Sequence, residues 1–248
     1  MFFPIFHDPL YVLVTIVGAA LGLWAQFRVK SNFARFARVP VRAGMSGAEA
    51  AEAVCRAAGV RVRIERHQGF LSDHYDPRAK TLRLSPDVYD GRSISSIAVA
   101  AHEAGHSIQD ATHYPFLGLR TKVVAFAGIG SNLWYFFFFG GAALTAGMRP
   151  AQRAAEAGWQ LPQYLMAAGI LLFGAVVLFQ LITLPVEIDA SRRAKAVLAQ
   201  SGIVQTKEEA LGVSRVLDAA AWTYIAAALT GIVTLIVLIA RFQQSGRR

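Results

Sequence analysis

Four stretches of the chain, at residues 10–27, 123–148, 165–186 and 219–240, run almost without charge. Each is long enough to cross a hydrocarbon core about 30 Å thick as a helix. Between the first and second the pattern changes. In "SGAEAAEAVCRAAGV", Ser46 is followed three residues later by Glu49, a capping box, and the segment closes at Gly59, so it reads as a helix. "VRVRIERH" alternates with the period of a strand, "QGFLSDHYDPRAK" carries Gly and Asp-Pro turn signals, and "TLRLS" alternates again. A hairpin or short sheet is expected there. Ser85, Pro86, Asp87 and Gly91 then break the chain before a last helix over about residues 93–110. Its Ile94, Ile97, Ala101 and Ile108 share a stripe that packs inward while the opposite side faces a cleft.

The expected architecture is an α-helical membrane protein with four transmembrane helices and a small α+β domain. Residues 1–27 form an N-terminal anchor, 28–122 the main domain, 123–186 two further spans, 187–218 a short returning segment, and 219–248 the last span and tail. Composition agrees: 54% of the residues are hydrophobic and only 17% charged, which soluble domains rarely show. The leading "MFFPIFHDP" has no Lys or Arg, so the first span reads as an uncleaved anchor rather than a signal peptide.

The net charge of +9 changes the picture through its distribution. Of 25 Lys and Arg residues, 15 lie between residues 28 and 122 and 5 between 187 and 218, two segments on the same side of a four-span protein. The positive-inside rule makes that side cytoplasmic and places the protein in a bacterial inner membrane, multi-pass. The basic residues flank apolar spans rather than gather in one module, so the lipid bilayer is the expected partner and nucleic acid is not. The single cysteine, Cys55, excludes an intramolecular disulfide and reads as a small buried residue.

The last helix of the domain carries His102-Glu103-Ala104-Gly105-His106. Four residues advance an α-helix by about 400°, so the two histidines project from one face, one turn apart, and can bind a single metal ion. Glu103, about 100° round, sits beside the metal, where a carboxylate takes a proton from a zinc-bound water and delivers it to the leaving amine. Gly105 suits a close approach of backbone or substrate, or tight packing. A closed structural zinc site normally draws on several cysteines, and this chain has one.

A catalytic zinc needs a third protein ligand and one position left for water. His113 fits poorly: the HExxHxxGxxH spacing requires Gly at 109 and His at 112, where this chain has Gln109 and Thr112. Glu187 in "LPVEIDASRRAKAVL" is the better candidate, lying where the third span reaches the side that bears the motif, and Pro185 just before it bends the helix towards the histidine pair. Asp189 is the runner-up. An interfacial ion pair with Arg192, Arg193 and Lys195 is the plainer alternative for either acid.

"GMSGAEAAEAV", "GFLSDHYDPRAKTLRLSPDVYDGRSI", "AVAAHEAGHSIQDA", "LPVEIDASRRA" and "VLDAAAWTYIA" together resemble the YugP-type neutral zinc metallopeptidases, in order over most of the chain. That family is similar in plan to the HtpX-type membrane gluzincins. The resemblance implies a zincin-like (gluzincin) cytoplasmic domain and one Zn2+ per chain, with His102, His106 and Glu187 as ligands and Glu103 as the base. HtpX-type enzymes carry an aspartate four residues after the ligand glutamate, and here that position is Ser191. The same analogy makes the strand after "SDHYDP" the sheet edge on which an extended peptide lies, with His74 or Tyr75 donating to the oxyanion. Either residue serves equally well in a turn.

These readings combine into a membrane-embedded zinc metalloendopeptidase acting at the cytoplasmic interface on protein or peptide substrates that are themselves membrane-associated, with quality control of membrane proteins as its setting. Two rivals stand beside it. A site-2-type intramembrane protease needs its HExxH on a transmembrane helix, and "ISSIAVAA" is too short for one. A non-catalytic metal-binding scaffold has no use for Glu103.

Overall fold

The computed structural model of the protein describes residues 9–69, 72–148 and 160–245. Residues 1–8, residues 149–159 between the second and third spans, and the tail from 246, all of which enter the anchor and charge arguments, lie outside the described residues. The chain runs α1 (Pro9–Phe36), α2 (Gly47–Ala57), β1 (Arg63–Arg66), β2 (His74–Asp76), β3 (Thr81–Leu84), α3 (Pro86–Tyr89), α4 (Ile94–Ala111), α5 (Pro115–Gly147), α6 (Leu161–Gln200) and α7 (Lys207–Ser245). Four of these helices, α1, α5, α6 and α7, are long and apolar enough to cross a membrane.

All four outrun the apolar stretches that signal them. Helix α6 has 40 residues and passes through Pro185 without a break. Hydropathy marks where lipid contact ends, whereas a helix continues until capping chemistry stops or starts it. At the start of α7 the Thr206 hydroxyl accepts from the Glu209 amide at 3.1 Å, and the Glu209 carboxylate accepts in return from the amides of Thr206 and Gln205, at 3.1 and 2.8 Å. A third amide, that of Arg42, donates to the same carboxylate at 2.7 Å and ties the loop after α1 to α7.

The residues fall into two compact units, one of residues 23–118 with 183–224, the other of the described residues up to 22, from 119 to 182 and from 225 onward. In the second unit α5 and α6 meet through glycines. A Cβ on Gly130 would lie 2.5 Å from the Leu172 carbonyl oxygen, and one on Gly169 would lie 2.6 Å from the Phe138 nitrogen. Small residues of this kind let helices pack where no water is available to drive them together. Phe126 and Leu171, 68% and 75% exposed, give this unit the kind of apolar exterior that a lipid-facing surface requires.

In the first unit α2 begins as its sequence requires. The Ser46 amide donates to the Glu49 carboxylate at 2.6 Å and the Glu49 amide donates to the Ser46 hydroxyl at 3.2 Å. The chain leaves α2 through Gly59 at φ 70°, a left-handed conformation that glycine adopts without strain. Ala50, Ala51 and Val54 are fully buried in a core shared with Leu82, Leu84 and Ile97.

The sheet departs from expectation. The stretch read as a hairpin turn contains a strand, β2, and the sheet order is β1-β3-β2. β1 runs parallel to β3, Arg63 opposite Thr81, and β2 runs antiparallel to it, His74 opposite Arg83. β3, expected to be the edge, is therefore the central strand, and β1 and β2 are the edges. The Asp-Pro signal does mark a turn, but the one between β2 and β3: the Asp76 carboxylate accepts from the amides of Arg78 and Ala79 at 2.9 and 3.1 Å, and Lys80 closes it at φ 50°.

The expected inward stripe of α4 is buried as read, yet its other side is buried too. Only Val99, His102, Asp110 and Ala111 of its 18 residues escape burial. The small residues Ala98, Ala100, Ala104 and Gly105 allow neighbours to close on the helix from nearly every direction.

Candidate metal centre

Helix α4 sets the two histidines one turn apart, and their rings meet edge to face with centroids 4.8 Å apart. Helix α6 brings Glu187 to them. One carboxylate oxygen, Oε2, lies 3.1 Å from His102 Nε2 and 3.5 Å from His106 Nε2. The two helices come this close because Gly105 has no side chain: a Cβ there would stand 2.5 Å from the Ala190 carbonyl oxygen.

Among the described residues, His102, His106 and Glu187 are the one group of three or more His, Cys, Asp or Glu whose ligand atoms converge, all within 4.8 Å of one another. The geometry can be tested against zinc. Tetrahedral ligands on bonds of about 2.05 Å are separated by about 3.3 Å, and the two nitrogen-to-oxygen separations, 3.1 and 3.5 Å, bracket that value. Two imidazole nitrogens and a carboxylate oxygen are also the donor set that suits a divalent zinc ion.

The far sides of both rings are held. His102 Nδ1 lies 3.1 Å from the Ser191 hydroxyl, so the residue four after Glu187, where HtpX-type enzymes carry aspartate, does contact a histidine. His106 Nδ1 lies 3.0 Å from Gln109 Oε1. Gln109 in turn donates through Nε2 to the Val186 carbonyl at 2.7 Å and to the Asp189 carboxylate at 3.0 Å. Burial disfavours a charged His106 ring, yet the Glu187 carboxylate, with Glu103 and Gln109, raises its pKa overall.

Asp189, the runner-up ligand, is not in the converging group. Its oxygens lie 2.5 Å from both Arg192 and Arg193. His113 is likewise outside the group, at the end of α4 with φ 53°. Cys55 is buried with its sulfur 3.5 Å from the Ser107 hydroxyl.

Glu103 is 8% exposed and is not one of the converging ligands. Its charge is felt at His106 and also at Asp73. Asp73 accepts from the Ser85 amide at 2.7 Å and the Ser85 hydroxyl at 3.1 Å. Burial pushes its carboxyl above the ordinary range, the Ser85 bonds oppose that, and the Glu103 charge adds to the rise.

Tyr75 and His74 have different surroundings. The Tyr75 hydroxyl donates to Asp110 at 2.7 Å, and Asp110 stands one turn beyond His106 on the same face of α4. Burial first, and the Asp110 carboxylate second, push the phenol pKa well up, so Tyr75 keeps its proton as a donor. His74 is exposed, and its Nδ1 lies 2.8 Å from the Ser72 carbonyl oxygen. A carbonyl only accepts, so the ring proton is on Nδ1, and a neutral His74 has no donor at Nε2. Sequence reasoning missed Gln109 as a neighbour of the site; its place three residues after His106 was the one available signal.

A protein-family signature described as "Putative neutral zinc metallopeptidase" matches residues 11–243. The chain is 41% identical over 234 residues to the "Putative membrane protease YugP" of Bacillus subtilis (strain 168), covering 94% of this chain and 96% of that protein. No solved structure matches the chain.

Proposed function

The chain belongs to this neutral zinc metallopeptidase family, and from that premise we propose that it is a membrane-embedded zinc metalloendopeptidase whose centre is His102, His106 and Glu187, with Glu103 as the general base. The observation that carries the reading is the single Glu187 oxygen set against both Nε2 atoms, at 3.1 and 3.5 Å, with Glu103 buried beside them and outside the ligand set. A zinc ion, when bound, acidifies water and polarises the scissile carbonyl. Glu103 accepts the proton of the attacking water and passes it to the nitrogen of the departing amine. This division of labour, with two helical histidines, a glutamate from a later helix and a separate base, is that of a gluzincin.

The peptide adds as a further strand to the outer edge of β2, the edge strand tied to α4 by the Tyr75–Asp110 bond. Of the two oxyanion donor candidates Tyr75 is favoured because it keeps its proton, which would turn from Asp110 to the oxyanion. Glu187 follows the apolar run of α6 within a few residues, which favours chains already anchored in the bilayer and suits quality control of membrane proteins. The excess of Lys and Arg in residues 28–122 and 187–218 assigns the site to the cytoplasmic side.

Replacing Glu103 by Gln tests the reading. The variant is expected to retain zinc and to cleave a membrane-anchored peptide at least about a hundredfold more slowly, the lower end for loss of a positioned base. Cleavage at the wild-type rate, with contaminating protease excluded, would contradict it.

A further inference from the structure

We propose that Gln109 is the positioning residue that fixes the tautomer of His106, and that Asp189 and Val186 fix Gln109. This rests on the reading of His102, His106 and Glu187 as metal ligands and adds what prepares one of them to bind.

Gln109 is fully buried, so its amide cannot exchange partners with water. Its nitrogen has two hydrogens and faces two groups that only accept, the Val186 carbonyl at 2.7 Å and an Asp189 oxygen at 3.0 Å. Rotating the amide by half a turn would set oxygen against a carbonyl and a carboxylate, losing two buried bonds and creating two repulsions. Asp189 is held as the anion by Arg192 and Arg193, each 2.5 Å away.

With the nitrogen committed, Oε1 faces His106 Nδ1 at 3.0 Å. An oxygen there accepts, so His106 carries a proton on Nδ1, and the neutral ring, the form that binds a metal, presents its lone pair at Nε2, the atom 3.5 Å from Glu187 Oε2. His102 differs. Its Nδ1 faces the Ser191 hydroxyl at 3.1 Å, a group that donates or accepts and therefore dictates nothing. One histidine is preset for a metal and the other adapts. The residues that look like a spare ion pair beside the site, Asp189 with Arg192 and Arg193, are thus the anchor of that presetting.

A purely structural role, in which Gln109 only pins α4 to α6, makes a different prediction, and two variants separate the roles. Gln109→Met removes both the acceptor for His106 and the pin. Gln109→Glu keeps an acceptor facing His106 Nδ1 and abolishes the pin, because it sets a carboxylate against Val186 O and Asp189. Full-length protein in detergent is titrated with zinc alone, and its thermal midpoint is followed in parallel. The ring nitrogens of 15N-labelled histidine are read by NMR in the metal-free state at alkaline pH.

The proposal expects both variants to lose thermal stability, while zinc affinity falls roughly 10–100-fold in Gln109→Met and stays within a few-fold of wild type in Gln109→Glu. It also expects the Nδ1-protonated form of His106 in wild type and Gln109→Glu, and a mixture in Gln109→Met. Equal loss of zinc affinity in the two variants, or an Nε2-protonated His106 in the wild type, would overturn it. Failure of the wild type to bind zinc would instead refute the metal-centre reading, and the metal-free NMR would still decide what Gln109 does to His106.

Discussion

Helix α6 meets a neighbour in each of its two halves, and at both meetings a glycine removes the side chain that would keep the backbones apart. In the half up to residue 182 the neighbour is α5, and Gly169 faces the Phe138 nitrogen and the Trp134 carbonyl across an apolar surface. In the half from residue 183 the neighbour is α4, and Gly105 faces the Ala190 carbonyl. Around that second approach the groups are polar: His102 meets Glu187 and Ser191, and Gln109 meets Val186 and Asp189. The same steric device thus serves two ends. In the apolar half close approach is the source of attraction, since packing is what holds membrane helices together. In the polar half it sets a register within which ligand atoms converge to 3.1 and 3.5 Å.

The difference can be broken most forcefully by adding one methyl group at each meeting. Gly105→Ala and Gly169→Ala are both expected to cost about 1–3 kcal/mol of stability, because neither a carbonyl oxygen at 2.5 Å nor a backbone nitrogen at 2.6 Å can give way as a flexible side chain would. Only Gly105→Ala should also weaken zinc retention, by as much as roughly 100-fold, the upper end of what misplaced support around a metal does. Thermal midpoints and zinc titrations of the two proteins check this, and equal zinc affinities would mean that the register at Ala190 does not set the centre.

A smaller effect sharpens the polar half alone. Ser191→Ala removes a contact to His102 without touching the close approach of the helices, so zinc affinity should fall by about tenfold with the thermal midpoint nearly unchanged. A parallel fall in stability would show that Ser191 is part of the packing instead.

The smallest effect concerns the sheet. Arg83 on the central strand bonds Asp76 of β2 at 2.8 Å and approaches Glu65 of β1 at 3.7 Å, and it holds the Asp76 carboxyl down to about 2, with help from the Ala79 amide. The folded value lies below the unfolded one, about 3.9, so Asp76 contributes stability above the unfolded value and loses it as pH falls towards 2. The loss of stability between pH 5 and pH 3 should therefore be shallower in Asp76→Asn than in the wild type, and identical slopes would remove Asp76 from the account.

The four spans and the α4 motif were legible because each is a local pattern, a run of apolar residues or a fixed helical spacing. The capping box of α2 was legible for the same reason. The direction of β1 was not, since alternation marks a strand and says nothing of its partner. β2 was hidden because Asp73 and Asp76 are turn formers by type, and only pairing with Thr81 to Arg83 makes His74, Tyr75 and Asp76 a strand.

At the site, Glu187 could be picked out as an acid beside an apolar run, and its choice over Asp189 follows from the helix: residues two apart diverge by about 200°. Glu187 points to the histidines and Asp189 to its arginines. Gln109 and Ser191 act across 80 or more residues of chain, on Asp189 and His102, and no spacing rule announces such partners.

The account's central claim is that Glu187, and not its near neighbour Asp189, completes a metal centre with His102 and His106. The most direct test is the zinc content of the wild type, Glu187→Ala and Asp189→Ala proteins, purified in one detergent and dialysed against the same weak chelator. The account predicts about one zinc per chain in the wild type, close to none in Glu187→Ala, and a partial occupancy in Asp189→Ala that zinc in excess restores. Full zinc in Glu187→Ala, or equal loss in the two variants, would contradict it.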